Sequence, residues 1–242
     1  MFFMPGTTPA GTAYSDEFGA RRWSVEGGGR ENHVGSIVVQ AFVTLDGVVQ
    51  GGGGPEEDTD GGFPHGGWQA RYDTEHGGTE MGALVREWEG RTAALLLGRR
   101  TYEIFAGSWG VWDEGAPGFQ GELTRRYNRV PKYVASRTLT RLGWAGSHLL
   151  GEDVPDAVRR VRDEVDGEVR VWGSARLVRT LATHGLVDEY RLAHYPVVLG
   201  TGKRLFSDGF PPSALHLTRS RALSSGVVVS WYQPLRGAAV GP

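Results

Sequence analysis

Apolar positions along the chain fall in short blocks whose period switches between that of a strand and that of a helix. The first sustained block, SIVVQAFV at residues 36–43, is apolar almost throughout and rich in β-branched side chains, which predicts a central buried strand. TLDG closes it. A long polar, glycine-rich segment follows, and then Met81, Leu84, Val85 and Trp88 recur at the spacing of one helix face. TAALLLG predicts a second strand that runs into a short helix, RRTYEIFAGSW; KYVAS and SHLL predict two more strands. Asp153 and Pro155 mark a helix start, with Val154, Val158, Val161 and Val165 as its apolar stripe. EVRVWG predicts a strand, and SARLVRTLATHG a helix with Leu177, Val178 and Leu181 inward and Gly185 at its end. Beyond it, VDEYRLAHYPVVLG, LHLTRSRAL and GVVVSWYQP predict strands with no helix between them. This order predicts an α/β fold: one mixed, mostly parallel sheet flanked by helices, finished by antiparallel C-terminal strands.

Residues 1–35 carry no such period and have turn and linker composition, so they predict a flexible N-terminal extension before a domain at 36–234 and a short flexible tail at 235–242. The length of 242 residues suits one sizeable domain or at most two small ones. A net charge of -2 gives no basic excess to neutralise phosphates, so nucleic-acid binding is not expected. No apolar run approaches the ~18 residues that a membrane span needs. The start MFFMPG lacks a basic region, and no apolar run follows the Arg21–Arg22 pair, so export is not expected either. Cysteine is absent, which removes disulfides, thiolate metal sites and cysteine nucleophiles and fits a cytoplasmic protein. His65 and His76 stand alone in a loop without metal-ligand spacing, and no metal is expected.

Two junctions share one grammar. LLLG runs into RRTYE and VRVWG into SARLV, each a strand, a glycine and a helix N-terminus. Ligands of parallel sheets gather at the carboxyl ends of strands, where helix N-termini present free N–H groups. Gly98 and Gly173 would allow close backbone approach to a phosphate. Either turn alone reads first as a tight βα connection with glycine for close packing. Arg99 and Arg100 add forked donors suited to a phosphate monoester, and Thr101 adds a hydroxyl. Ser136 and Arg137 repeat that pair at the end of the next predicted strand. A solvated basic edge is one reading; a pocket for the isolated phosphate of NADPH is the other. No G-x-G-x-x-G follows a strand, and GGGG at 51–54 runs into PEED rather than a helix, so neither an ordinary dinucleotide fingerprint nor a P-loop is present.

VTLDG, GGW, LLLGRRTYEIF, PKYVASRTL, VRVWGSARLVRTL and VDEYRLAHYPVVLGTGKRLF, taken together, resemble the dihydrofolate reductase-like family. The resemblance is nearer to the branch built on the C-terminal reductase domain of bifunctional riboflavin biosynthesis enzymes, and it covers residues 36–234. It implies an eight-stranded, mostly parallel sheet with NADPH at the strand ends. By the same resemblance, Gly98, Arg99, Arg100 and Thr101 meet the pyrophosphate and 2′-phosphate, Ser136 and Arg137 lie near the adenosine, and Gly173, Ser174, Ala175 and Arg176 touch the pyrophosphate. Classical dihydrofolate reductases have two glycines together in that last turn; this chain has Gly173–Ser174, which resembles the nearer branch. Asp46 of the LDG motif is implied near nicotinamide and substrate, although an Asp-Gly turn closing a strand explains it equally. A helix carboxylate that helps protonation has Asp73 as its first counterpart here, with Glu75 and Glu80 nearby. Trp68 and Lys203 are the candidate substrate contacts; an aromatic on the core and a solvated cation are their plainer readings. Homodimers are common in the branch. The zinc deaminase half of the bifunctional enzymes needs cysteines, and this chain has none.

The function expected is an NADPH-dependent reductase transferring hydride to a C=N or C=O group of a pterin-like or related heterocycle. A folate-type substrate and a phosphorylated ribosylamino-pyrimidine are the alternatives within it; the latter would want a second cationic cluster, for which Lys203 and Arg204 are available. A non-catalytic dinucleotide-binding or dimeric scaffold protein is the competing class.

Overall fold

The computed structural model describes residues 34–74 and 78–237, with the side chains of residues 73–79 outside that description. Residues 1–33 of the expected extension, Glu75, His76, the side chain of Asp73 and residues 238–242 of the expected tail therefore lie outside the described residues. Gly35, in contrast, donates to Arg162 O at 2.8 Å, and Leu235 donates to Ala214 O at 2.9 Å. Both ends of the described domain are thus tied to it one residue beyond the expected boundaries.

Eight strands make one sheet: β1 (Ser36–Thr44), β2 (Thr92–Gly98), β3 (Lys132–Ala135), β4 (Ser147–Leu149), β5 (Glu168–Trp172), β6 (Glu189–Tyr195), β7 (Leu215–Ala222) and β8 (Val228–Pro234). Their order is β4-β3-β2-β5-β1-β6-β8-β7. All neighbours are parallel from β4 to β6, and β8 runs against both β6 and β7. The expected eight-stranded, mostly parallel sheet with antiparallel C-terminal strands is present. The last parallel strand is shorter than its sequence reads. β6 stops at Tyr195 because Pro196 has no N–H to continue the ladder, and VVLG enters a loop.

Among the described residues six α-helices flank the sheet: α1 (Ala70–Thr74), α2 (Gly78–Gly90), α3 (Arg99–Gly107), α4 (Gly118–Arg129), α5 (Val154–Glu164) and α6 (Ala175–Thr183). Ile37, Val39, Ala41 and Val43 of β1 alternate to one face, where they meet Val158, Val161, Leu177, Val178 and Leu181 of α5 and α6. The other face packs Met81, Leu84, Val85 and Trp88 of α2 with Leu95, Leu97 and Val134. The spacing read from sequence thus sets both faces. α4 is an element that the sequence pattern does not announce. Only Phe119, Leu123 and Tyr127 give it an apolar row, among arginines and other polar residues, and Leu123 and Tyr127 are buried in that second cluster.

The amino end of the sheet is closed by buried ion pairs. Arg170 is fully buried and pairs with Glu168, which also takes Arg191 in a two-point contact at 2.7 and 2.9 Å. At the carboxyl end the sheet opens into a cleft. No helix among the described residues is long and apolar enough to cross a membrane.

Candidate active site

β3, β2 and β5 are consecutive in the sheet, so their ends place Ser136, Gly98 and Gly173 side by side. One cleft of about 2750 Å³ runs over them, lined by Gly98, Arg99, Arg100, Thr101, Ser136, Arg137 and Gly173 through Arg176. Ten residues singled out as cofactor contacts therefore share one surface. Trp68 and Lys203 line it as well.

The two glycine turns are joined through one side chain. Ser174 Oγ accepts from Gly98 N at 2.9 Å and shares a hydrogen bond with Thr101 Oγ1 at 2.7 Å. A Cβ added at Gly98 would lie 3.0 Å from Ser174 Oγ and 3.2 Å from its Cβ. Glycine at 98 is therefore what lets the turns approach. Gly173 and Ser174 both take the left-handed conformation, φ 49° and 57°, and Ser174 is the one non-glycine residue with positive φ among those described. An L-residue there costs about 1–2 kcal/mol, which its two hydrogen bonds offset.

This arrangement leaves donors open. α3 begins after Gly98, which has no side chain to cap it, and Ser174 spends its hydroxyl on the neighbouring turn rather than on α6. The first-turn N–H groups of two adjacent helices thus lack side-chain caps where both meet the cleft. The space over Gly173 is open; a Cβ there would meet nothing within 4 Å. Paired, uncapped N-termini with arginines alongside fit the pyrophosphate and terminal phosphate of a dinucleotide.

The arginines are balanced by carboxylates. Arg99 lies 3.1 Å from Glu103, one turn on. Arg100 lies 3.5 Å from Asp58, in the glycine-rich loop between β1 and α1. Lys203 Nζ donates to Asp58 at 2.7 Å and to Asp60 at 2.8 Å, and it holds the Asp60 carboxyl below its ordinary range. These pairs tie the glycine-rich loop both to α3 and to the loop after β6. Gln50 reinforces the tie: its side chain donates to Asp58 O and Asp60 O and accepts from Lys203 N.

The acidic candidates separate. Asp46 is not among the cleft-lining residues. Its carboxylate accepts from Thr44 Oγ1 at 2.6 Å, Gly200 N at 2.8 Å and Leu199 N at 3.2 Å. Led by the Thr44 hydroxyl, these donors hold its pKa at about 2. Gly47, at φ 85°, completes the Asp-Gly turn. A carboxylate so held is a clamp on the loop after β6 and a poor proton donor. Glu80 is bound by Ser224 N at 2.8 Å and Arg221 at 3.2 Å, on the β7–β8 hairpin. Trp68 has its indole N–H on Gln50 O at 2.8 Å and packs edge-on to Tyr195, so it is both cleft wall and core border. Ser136 Oγ accepts from Thr138 N and Leu139 N, and Arg137 is exposed beside it.

Sequence reasoning passed over Glu57. It lines the cleft, accepts from Gly53 N at 2.6 Å, and burial raises its pKa. Nothing local in PEED distinguishes it from Glu56; its setting comes from the fold of the loop. An aromatic wall was also missed. Phe42, Trp172, Phe105, Trp109 and Trp112 follow one another in ring contact at 4.5–6.5 Å.

A family model described as the RibD C-terminal domain matches residues 36–229. The uncharacterized protein YyaP of Bacillus subtilis (strain 168) is 28% identical over 194 residues, 79% of this chain and 91% of its own length. Among solved structures, a proposed riboflavin biosynthesis protein from Shewanella sp. PV-4 superposes with a TM-score of 0.55 at 16% identity, covering 83% of this chain and 99% of that one. A diaminohydroxyphosphoribosylaminopyrimidine deaminase/5-amino-6-(5-phosphoribosylamino)uracil reductase from Thermotoga maritima gives 0.53 at 15% identity, covering 84% of this chain and 57% of that one. At such identities the structural likeness concerns the fold.

Proposed function

The chain belongs to the RibD C-terminal domain family, and from that premise we propose that it is an NADPH-dependent reductase of a pterin-like or related heterocyclic small molecule. The observation that carries this reading is the pair of uncapped helix N-termini cross-linked by Ser174, flanked by arginines. Gly98 to Thr101 and Gly173 to Arg176 would hold the phosphates, with Ser136 and Arg137 toward the adenosine. Bound there, reduced nicotinamide supplies a hydride to the electrophilic carbon of a C=N or C=O bond, and the heteroatom takes one proton. The chain's own share is to orient both partners and to keep a proton at hand. Glu57 is the acid of this reading, because burial keeps it protonated to higher pH than an ordinary glutamate. Asp46 instead fixes the loop that carries Lys203. The reading takes residues 36–234 as the reductase domain, in a cytoplasmic homodimer.

Titration with NADPH and NADH tests it. Arg99→Ala should weaken NADPH by about tenfold to hundredfold, the worth of a charge-assisted phosphate contact, and leave NADH nearly unchanged. Equal losses for both cofactors refute the assignment of Arg99. Absence of NADPH binding to the unaltered chain sinks the reading, and tight binding without turnover on any heterocycle favours a non-catalytic dinucleotide-binding protein.

A further inference from the structure

The two adjacent arginines that open α3 are held differently. Arg99 has one carboxylate in reach among the described residues, Glu103 at 3.1 Å, and half of its side chain is exposed. Arg100 has three. Its Nε lies 3.5 Å from Asp58, one terminal nitrogen 3.9 Å from Asp60 and the other 3.9 Å from Glu103. A carboxylate therefore stands before every nitrogen of this guanidinium, and Nε is shut off from water. A phosphate taking the Arg100 side chain would first have to displace aspartates from it.

Asp58 is where these pairs converge, and it is buried. One carboxylate oxygen accepts from Lys203 Nζ at 2.7 Å; the other faces Arg100 and accepts from Asp60 N at 3.3 Å. Its carbonyl accepts from Gln50 Nε2 at 3.1 Å. The start of α3, the loop after β6 and the stretch after β1 thus meet on one residue of the glycine-rich loop. Gly51 to Gly54 and Gly61 to Gly62 bring no side chains to pack, so polar anchors must set the course of this loop. A single exposed ion pair contributes little. A network converging on one buried carboxylate contributes more, because opening it leaves that charge unpaired. Glu57, the next residue, lies in the cleft lining and accepts from Gly53 N at 2.6 Å.

We propose that Asp58 and Arg100 are positioning residues: with Lys203 they latch the glycine-rich loop to α3 and set Glu57 in the cleft lining, and the latch withholds the Arg100 side chain from the cofactor's phosphates, leaving Arg99 to serve them. That Glu57 and the phosphates are what is at stake rests on the reductase reading; the latch itself does not.

Amide hydrogen exchange of the full chain without ligand reads the latch. In Arg100→Ala and in Asp58→Asn, residues 51–62 should exchange at least about tenfold faster than in the parent, while β1 and β5 keep the parent's rates. The double variant should stay within about twofold of Asp58→Asn, because both changes open the same contact. Parent rates over 51–62 in both variants, or additive effects in the double, overturn the proposal. An equal rise in β1 and β5 does so too, since it would assign both residues to the stability of the whole domain.

The Glu57 carboxyl, followed by carbon NMR, gives a readout whose sign decides. Deleting the Arg100 charge by itself raises the Glu57 pKa. Releasing the loop into water lowers it toward the ordinary 4.5, since burial is what raises it. A fall in Arg100→Ala is expected, and a rise overturns the positioning role. With ligand, Arg100→Ala should weaken NADPH and NADH alike within about threefold, and a larger loss for NADPH returns the side chain to the phosphate. Failure of both cofactors to bind the parent strikes only the reductase reading; exchange and the Glu57 titration still decide the latch.

Discussion

The end of β1 and the ends of β2 and β5 lie on the same edge of one sheet and are finished in opposite ways. At β1 every local demand is met: Asp46 takes the Thr44 hydroxyl and two backbone N–H groups, and Gly47 makes the turn. At β2 and β5 local demands are left open. Two helices start without side-chain caps, a serine sits in a left-handed conformation, and two arginines crowd a positive helix end. A cap is worth about 1 kcal/mol, so leaving two unmade is a cost that needs a reason. In the reductase reading, these departures from local rules are where the cofactor's phosphates complete the structure. In that reading the closed end serves stability and the open ends serve binding.

Two carboxyls, one at the turn after β1 and one farther along the same loop in the cleft lining, sharpen the contrast. Asp46 is held at about 2, whereas Glu57, in the loop leading from β1, is raised by burial. In the reductase reading Glu57→Gln has the largest effect, a roughly hundredfold or greater fall in kcat, the usual worth of a positioned acid. Activity of the parent should be high where Glu57 is protonated and fall as pH rises through its raised pKa. The variant should lose that limb. A variant with the parent's pH profile would assign the proton to water or to another group.

Next in size is Gly98→Ala. Its methyl group would press on Ser174 and wedge the turns apart, an overpacking cost of about 1–3 kcal/mol. If the strain is felt at the site, NADPH affinity falls by roughly tenfold to hundredfold. Adding Ser174→Gly should restore part of the lost stability, since the crowded atoms are gone. An unaffected single variant would mean that close approach of the two turns is not what the cofactor needs.

Much of the open end was legible in the chain, because a strand, a glycine and a helix start are local signals. Gly98, Gly173 and the arginines fall together in space, as their positions after three strands foretold. The stripes of α2, α5 and α6 were equally plain. What stayed hidden was set by residues far apart in sequence. Lys203 reads as a free cation until Asp58, 145 positions away, is seen beside it. Glu57 differs from Glu56 only in the burial that the folded loop provides. Asp46 suits a turn and a catalytic role by the same local sequence, and only Leu199 and Gly200 distinguish them. α4 was missed because three apolar residues in twelve, Phe119, Leu123 and Tyr127, give too thin a stripe to stand out.

Smaller effects come from the link between the turns. Ser174→Ala removes both hydrogen bonds of the hydroxyl, each worth about 1 kcal/mol, and should lower NADPH affinity about tenfold. Ser174→Gly removes the same bonds but also the left-handed strain. It should therefore be about 1 kcal/mol more stable than Ser174→Ala in urea unfolding, with a similar cofactor loss. Equal stabilities would show that the conformation at 174 carries no strain.

The smallest effect on cofactor binding belongs to the closed end. In Asp46→Asn one amide oxygen replaces two charged acceptors, and the amide's own N–H groups face the donors of Thr44, Leu199 and Gly200. About 1–3 kcal/mol should be lost at neutral pH, or about 2–4 °C in Tm per kcal/mol, with NADPH affinity within about twofold of the parent. The loss should depend on pH in one direction. The carboxyl is held at about 2 in the folded chain against an ordinary 3.8, so its contribution is complete above pH 3.8 and disappears as pH falls through 2. Parent and variant should therefore differ by a constant amount from neutral pH down to about 4 and converge below it. Urea unfolding across that range measures the difference directly. A variant as stable as the parent at every pH but without turnover would instead return Asp46 to the chemistry that the family resemblance implies for it, and the end of β1 would no longer be the closed one.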